Sequence, residues 1–329
     1  MNIYFIDTLE LTYSSDFDDI IKLTKNFKMV DPKKGAGNKE FISTELSDMG
    51  IIIKTRRSSK AELYKNSSKY KLVLRINPNK FYKPYMKTEH ISNIIEFCDM
   101  VERLDMQIQY CFSGLTIDDF EITRVDLTED IHGIPEDKIT QYIRIMRQLY
   151  LTLGFHHNKK LEENTEGFDP DSSFNAVNDS KNVEFVVYNK GHEVRNKKNS
   201  SDEQKEHYKD TMRVEVRCRK KFADKLSEKA YTAQKLVEIY RRRMEVIRDV
   251  FDDVFVLNKD SCFISPYWQK KQIKKYVSGK TKLGEKMNDF SKQLAHASRP
   301  TMESVIENSE KCQRSVSKLL SKFEGMGVS

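Results

Sequence analysis

Residues 121–131 read Glu-Ile-Thr-Arg-Val-Asp-Leu-Thr-Glu-Asp-Ile, and the alternation within them decides the fold. Side chains of a strand project to opposite sides with a period of two. Val125 and Leu127 therefore fall on one face, with Arg124, Asp126, Thr128 and Asp130 on the other. Two later stretches sort the same way. Residues 183–189 set Val183, Phe185 and Val187 against Glu184, Val186 and Tyr188, with Lys190 next on the polar face. Residues 212–218 set Met212, Val214, Val216 and Cys218 against Arg213, Glu215 and Arg217. Three strands, each with one apolar and one polar face, predict an antiparallel sheet with helices on one side only.

Working outward, strand-like runs at 3–13, 50–57 and 70–76 precede a helical period marked by Ile91, Ile94, Ile95, Cys98, Val101 and Leu104. A helix opened by Pro135 and closed by Gly154 carries Ile139, Ile143, Met146 and Tyr150 as its stripe. Residues 158–173 read as loop and 195–210 as a solvated insertion. From Lys220 the texture is helical, with Leu226, Leu236, Ile239, Ile247 and Val250 on one face of a long element. A last helix runs from Thr301 to just before Gly325, its apolar side made by Val305, Ile306, Val316, Leu319, Leu320 and Phe323. The fold class is thus α+β, with a boundary near 261–266 dividing residues 1–262 from a mostly helical C-terminal region, 263–329.

Composition bounds the partner. Among 329 residues, 38% are hydrophobic and 10% aromatic, too many for a disordered chain. Lys and Arg number 57 against 50 Asp and Glu, a net charge of +7, which suits nucleic acid without requiring it. Cys98, Cys111, Cys218, Cys262 and Cys312 form no close pair that would suggest zinc or a redox dithiol. The N-terminus lacks the basic start and apolar stretch of a signal peptide and no run reaches spanning length, so a cytoplasmic protein without membrane contact is expected.

The polar faces carry the chemistry. Charges of both signs on such a face can simply pair across strands. The residue mix offers more: Asp126 and Glu215 are oxygen ligands for a divalent metal, and arginines grip phosphate in bidentate fashion. Together they describe a phosphodiester site. A phenol, with a reference pKa of about 10, attacks phosphorus only where a cation stabilises the phenolate, and Lys190 can serve Tyr188 in that role. Gly191 would let the chain bend and return Glu193 to the same edge as a third carboxylate.

At these residues the sequence resembles a known family. Thr123-Arg124-Val125-Asp126, Val187-Tyr188-Asn189-Lys190-Gly191-His192-Glu193 and Arg213-Val214-Glu215 look like the R-x-D, Y-x-K-x-x-E and R-x-E blocks of filamentous-phage gene II and related plasmid replication initiators. The resemblance spans roughly residues 3–225. It implies a palm like that of rolling-circle nucleases, and a Tyr188 that nicks one strand, stays joined to the 5′-phosphate and leaves a 3′-hydroxyl primer. It also implies Mg²⁺ or Mn²⁺, for which Asp126, Glu193 and Glu215 are the candidate ligands. Expected partners are origin DNA, a host helicase or polymerase, and a second copy of the chain.

Arg124, Arg213, Arg217, Lys197, Lys198 and Lys220 are assigned to DNA, and Arg219 and Lys221 join them after the last strand. Residues 267–276, Tyr-Trp-Gln-Lys-Lys-Gln-Ile-Lys-Lys-Tyr, interleave cations and aromatics as a single-strand contact would. The paired histidines around one apolar residue that hold metal in many rolling-circle nucleases are missing. His156 and His157 are adjacent and would face opposite ways, while His192 neighbours the site. One alternative is a non-catalytic single-strand-binding protein, whose mark is several exposed aromatics on one sheet face. Another is a relaxase or transposase using the same chemistry.

Overall fold

A computed structural model of the chain describes residues 2–30, 39–42, 44–57, 70–86, 88–147, 151–152, 154–158, 172–255, 257–258 and 261–262. The helix expected at 301–325 and the basic-aromatic stretch at 267–276 lie outside them. Ten strands build the main sheet: β1 (Asn2–Ser15), β2 (Lys28–Val30), β3 (Lys39–Ile42), β4 (Ile51–Arg57), β5 (Tyr70–Ile76), β6 (Glu121–His132), β7 (Phe155–His157), β8 (Ser173–Asn178), β9 (Val183–Asn189) and β10 (Thr211–Arg219). Their order is β2-β3-β4-β5-β1-β6-β10-β9-β8-β7, and the pairings are antiparallel throughout. The three decisive strands are therefore neighbours at the centre.

The alternation read from sequence is the one that folds. Val125, Leu127, Val183, Phe185, Val187, Met212, Val214, Val216 and Cys218 all enter one core, because the long described helices cover that face. Ile94–Cys111 and Thr232–Val254 supply those helices, and Phe97 stacks on Tyr240 between them at 4.1 Å. The first helix begins at Asn93, whose side chain accepts from the Glu96 N–H. Ile91 thus precedes the helix rather than opening it.

Three readings change. The helix after Pro135 is seen from Glu136 to Met146, not to Gly154, because Leu151 is already extended and bridges Phe255. Leu226 also lies before the long C-terminal helix, which starts at Thr232. Residues 195–210 are largely solvent-exposed, as expected, but they are not featureless. They finish a helix, Lys190–Asn196, form a second, Asp202–His207, and lay Tyr208, only 4% exposed, on the polar side of the sheet. No described helix is long and apolar enough to cross a membrane.

Candidate active site

Register sorts the polar face into rows at right angles to the strands. Asp130 stands opposite Arg213, and Arg213 opposite Tyr188. The next row is Thr128, Glu215 and Val186, and the third is Asp126, Arg217 and Glu184. The tyrosine, two of the three predicted carboxylates and the predicted Arg124, Arg213 and Arg217 thus share one surface, as alternation required.

Tyr188 donates its phenol O–H to Glu215 Oε1 at 2.7 Å. Burial pushes its pKa well above the ordinary value, the Glu215 charge pushes it further, and Arg213 opposes both. The phenol is therefore protonated at rest, with its proton already aimed at a carboxylate. Lys190 lies 5.8 Å from the Tyr188 ring centre. It does not continue the strand as expected: Asn189 accepts from the His192 N–H and starts a helix there. Glu193 then comes one turn on, and its carboxylate meets Lys190 at 2.5 Å. Gly191 matters for another reason than bending. A Cβ at this position would stand 2.7 Å from the Tyr208 carbonyl oxygen, so only glycine lets residue 208 pack down here.

Arg213, Arg124 and Arg217 are each matched. Arg213 holds Asp130 in bidentate fashion at 2.6 and 2.7 Å and lies 3.6 Å from Asp7. Arg124 grips Asp126 at 2.7 and 2.5 Å. Arg217 meets Glu215 at 2.9 Å and Glu184 at 3.5 Å. Burial pushes Asp130 up, but Arg213 outweighs it and holds the carboxyl below the usual range. At Asp126 burial wins over Arg124 and raises the pKa to about 6.

That shift has a measurable consequence. A folded-state pKa above the unfolded value means the neutral acid favours folding. Asp126 therefore contributes its stability fully below pH 3.8 and loses it as pH rises through about 6. Asp126→Asn should remove this falling limb, worth on the order of 2–3 kcal/mol. Thermal midpoints across pH 4–8 will show it, and parallel curves for the two proteins would refute the assignment.

Some residues were missed. Asp7 sits where β1 slips register against β6, between the pairs Ile6–Leu127 and Thr8–Asp126, and such a bulge re-aims a side chain. Its only sequence signal is an acid inside an apolar run. His90 stacks on Phe5 at 3.7 Å and lies 3.2 Å from the Tyr208 hydroxyl and 3.6 Å from Asp130. Burial lowers its pKa to about 3, so the ring is neutral. Asn79 fixes this segment by bonding the Ile6 carbonyl and the Ile91 N–H. Nothing local in sequence announces either residue.

Other expectations scatter. His156 faces Asp179 at 3.2 Å and His157 packs edge-on against Phe174. His192 contacts Asn196 at 2.8 Å. Lys220 pairs with Glu121 at 2.6 Å, and Lys197 and Lys198 are exposed after the helix. Among the described residues no three acids, histidines or cysteines stand together as a metal cluster. The predicted ligands Asp126, Glu193 and Glu215 each already face a cation. In this arrangement the carboxylates do not fit an ion without a change of partners.

Comparison with known proteins places the chain. No curated protein matches it. Among solved structures, the rolling circle replication initiator protein from Geobacillus stearothermophilus aligns at 11% identity over 77% of this chain and 86% of that one, with a TM-score of 0.39. A family described as the N-terminal part of a phage replication-associated protein matches residues 8–240. That range contains all three blocks, and the resemblance read from them is borne out. The chain belongs to this family of phage replication-associated proteins.

Proposed function

We propose that this chain starts rolling-circle replication by nicking one DNA strand, with Tyr188 as nucleophile. The observation that carries the reading is the 2.7 Å hydrogen bond from the Tyr188 phenol to Glu215, set on a face rich in arginines and carboxylates. In the proposed step the phenol oxygen attacks phosphorus and its proton passes to Glu215. The bond to the 3′-oxygen breaks, and that oxygen takes a proton from water. The 5′-phosphate stays on Tyr188. Arg213 and Lys190 offset the charge that develops. Neutralising phosphate charge is the chemistry a bound Mg²⁺ or Mn²⁺ supplies. Asp126, Glu193 and Glu215 would hold it only if each gave up its cationic partner.

The same site would serve a relaxase or transposase. A non-catalytic single-strand binder is less well supported, since the tyrosine here sits among carboxylates, which repel phosphate unless neutralised. The test is to incubate the protein with single-stranded origin DNA and Mn²⁺ and map the DNA-linked peptide by mass. The expected adduct is on Tyr188, and an adduct on any other residue overturns the reading. Asp126→Ala and Glu215→Ala should shift the Mn²⁺ titration of the reaction. If both titrate like the parent, these acids are structural partners of Arg124 and Arg217 only.

A further inference from the structure

The row beyond Asp126 runs Arg219, Arg124, Glu10, Arg75 and Ile52, crossing β10, β6, β1, β5 and β4 in direct register. Two arginines stand opposite each other at its start, an arrangement that costs stability in a sheet. Arg124 is partly satisfied by Asp126. Arg219 is exposed and forms no ion pair among the described residues. Glu10 is shared thinly, 4.0 Å from Arg124 and 3.9 Å from Arg75, and the Arg75 side chain is 43% exposed.

The two wings of the sheet differ in charge. β4 and β5 contain no Asp or Glu and place Lys54 and Lys71 on the same face as Arg75. β8 and β9 contain no Lys or Arg. Strands lie about 4.8 Å apart, so Arg219 to Arg75 spans roughly 14 Å, three strand steps. Six residues along β10 from the row of Tyr188, a polyanion crossing the sheet meets cations toward β4 and none on β8 or β9.

We propose that the DNA strand crosses the sheet at right angles to its strands, from β10 to β4. Its phosphates are held by Arg219, Arg124 and Arg75, with Lys71 and Lys54 beyond. This rests on the nicking reading above and adds a path and a direction to it. The contacts are to backbone, so they carry no sequence preference.

The test is binding of a fluorescent oligothymidylate to the full chain across a series of KCl concentrations. Each lost phosphate contact lowers the slope of log K against log salt by about 0.7 for a single strand. Arg75→Gln with Arg219→Gln should therefore lower it by about 1.4 and weaken binding several-fold. Arg75→Lys with Arg219→Lys should restore the slope, and Lys205→Gln with Lys209→Gln, on the far side of Tyr208, should leave it unchanged. An unchanged slope in the first variant, or an equal loss in the lysine variant, overturns the path. If that slope change appears while no Tyr188 adduct forms, the path stands and the nicking reading fails. If the adduct forms and the slope is unaltered, only the path fails.

Discussion

Tyr188→Phe should lower strand cleavage by at least about a thousandfold and abolish the covalent adduct, because it removes the proposed attacking oxygen. Oligonucleotide affinity should stay within about threefold, since the phenol hydroxyl makes one bond inside the protein and the ring remains. The fold should survive as well: the loss leaves Glu215 Oε1 without its donor, while Arg217 still holds Oε2. Assays of nicking, adduct formation and binding on one preparation separate these effects. Cleavage at a tenth of the parent rate or more would move the chemistry elsewhere. Tyr208 is the obvious second phenol, yet its hydroxyl faces the His90 ring rather than a carboxylate that could take its proton. Its expected contribution to cleavage is therefore small.

Asp130→Ala should destabilise the protein by about 3–5 kcal/mol, the usual cost of removing one partner from a buried ion pair. Asp130 is 0% and Arg213 3% exposed, and the pair makes two parallel hydrogen bonds. Without the carboxylate, the guanidinium keeps only Asp7, at 3.6 Å, and the aromatic rings of Phe5 and Tyr208, each within 6 Å. The melting midpoint should fall by roughly ten degrees for a folded unit of this size. The exposed pair Asp99–Arg103 offers a contrast: Asp99→Ala should move the melting midpoint far less than Asp130→Ala. Similar losses for the two variants would mean that Arg213 relaxes into solvent, and that this end of the site is looser than its burial indicates.

What could be read in advance follows a physical line. Period-two alternation reports which side of a strand faces the core, so the three central strands, their faces and the position of Tyr188 were legible. It does not report which residue stands opposite which. The grip of Arg213 on Asp130 and of Tyr188 on Glu215 therefore emerged only with the register. β8, with the sequence Ser-Phe-Asn-Ala-Val-Asn, went unread because its alternation is short and weakly apolar. Asp7, His90 and Tyr208 reach the site from distant segments, through a bulge, an Asn79-braced loop and a helix packed against Gly191. Cationic residues looked like DNA contacts from sequence, yet those in the blocks are paired with carboxylates, because a half-buried face has to balance its own charge.

The strand order also governs when a cutting centre can exist during synthesis. The wing from β2 to β5 closes through nearby hairpins, whereas Asp130 and Arg213 are separated by 83 positions and Tyr188 needs a carboxylate 27 positions later. Pairings of such separation form after local ones, and a chain emerges from the ribosome N-terminus first. A nascent chain that ends before β10 carries Tyr188 without Glu215 or Arg213, so on the proposed chemistry it is inert toward DNA.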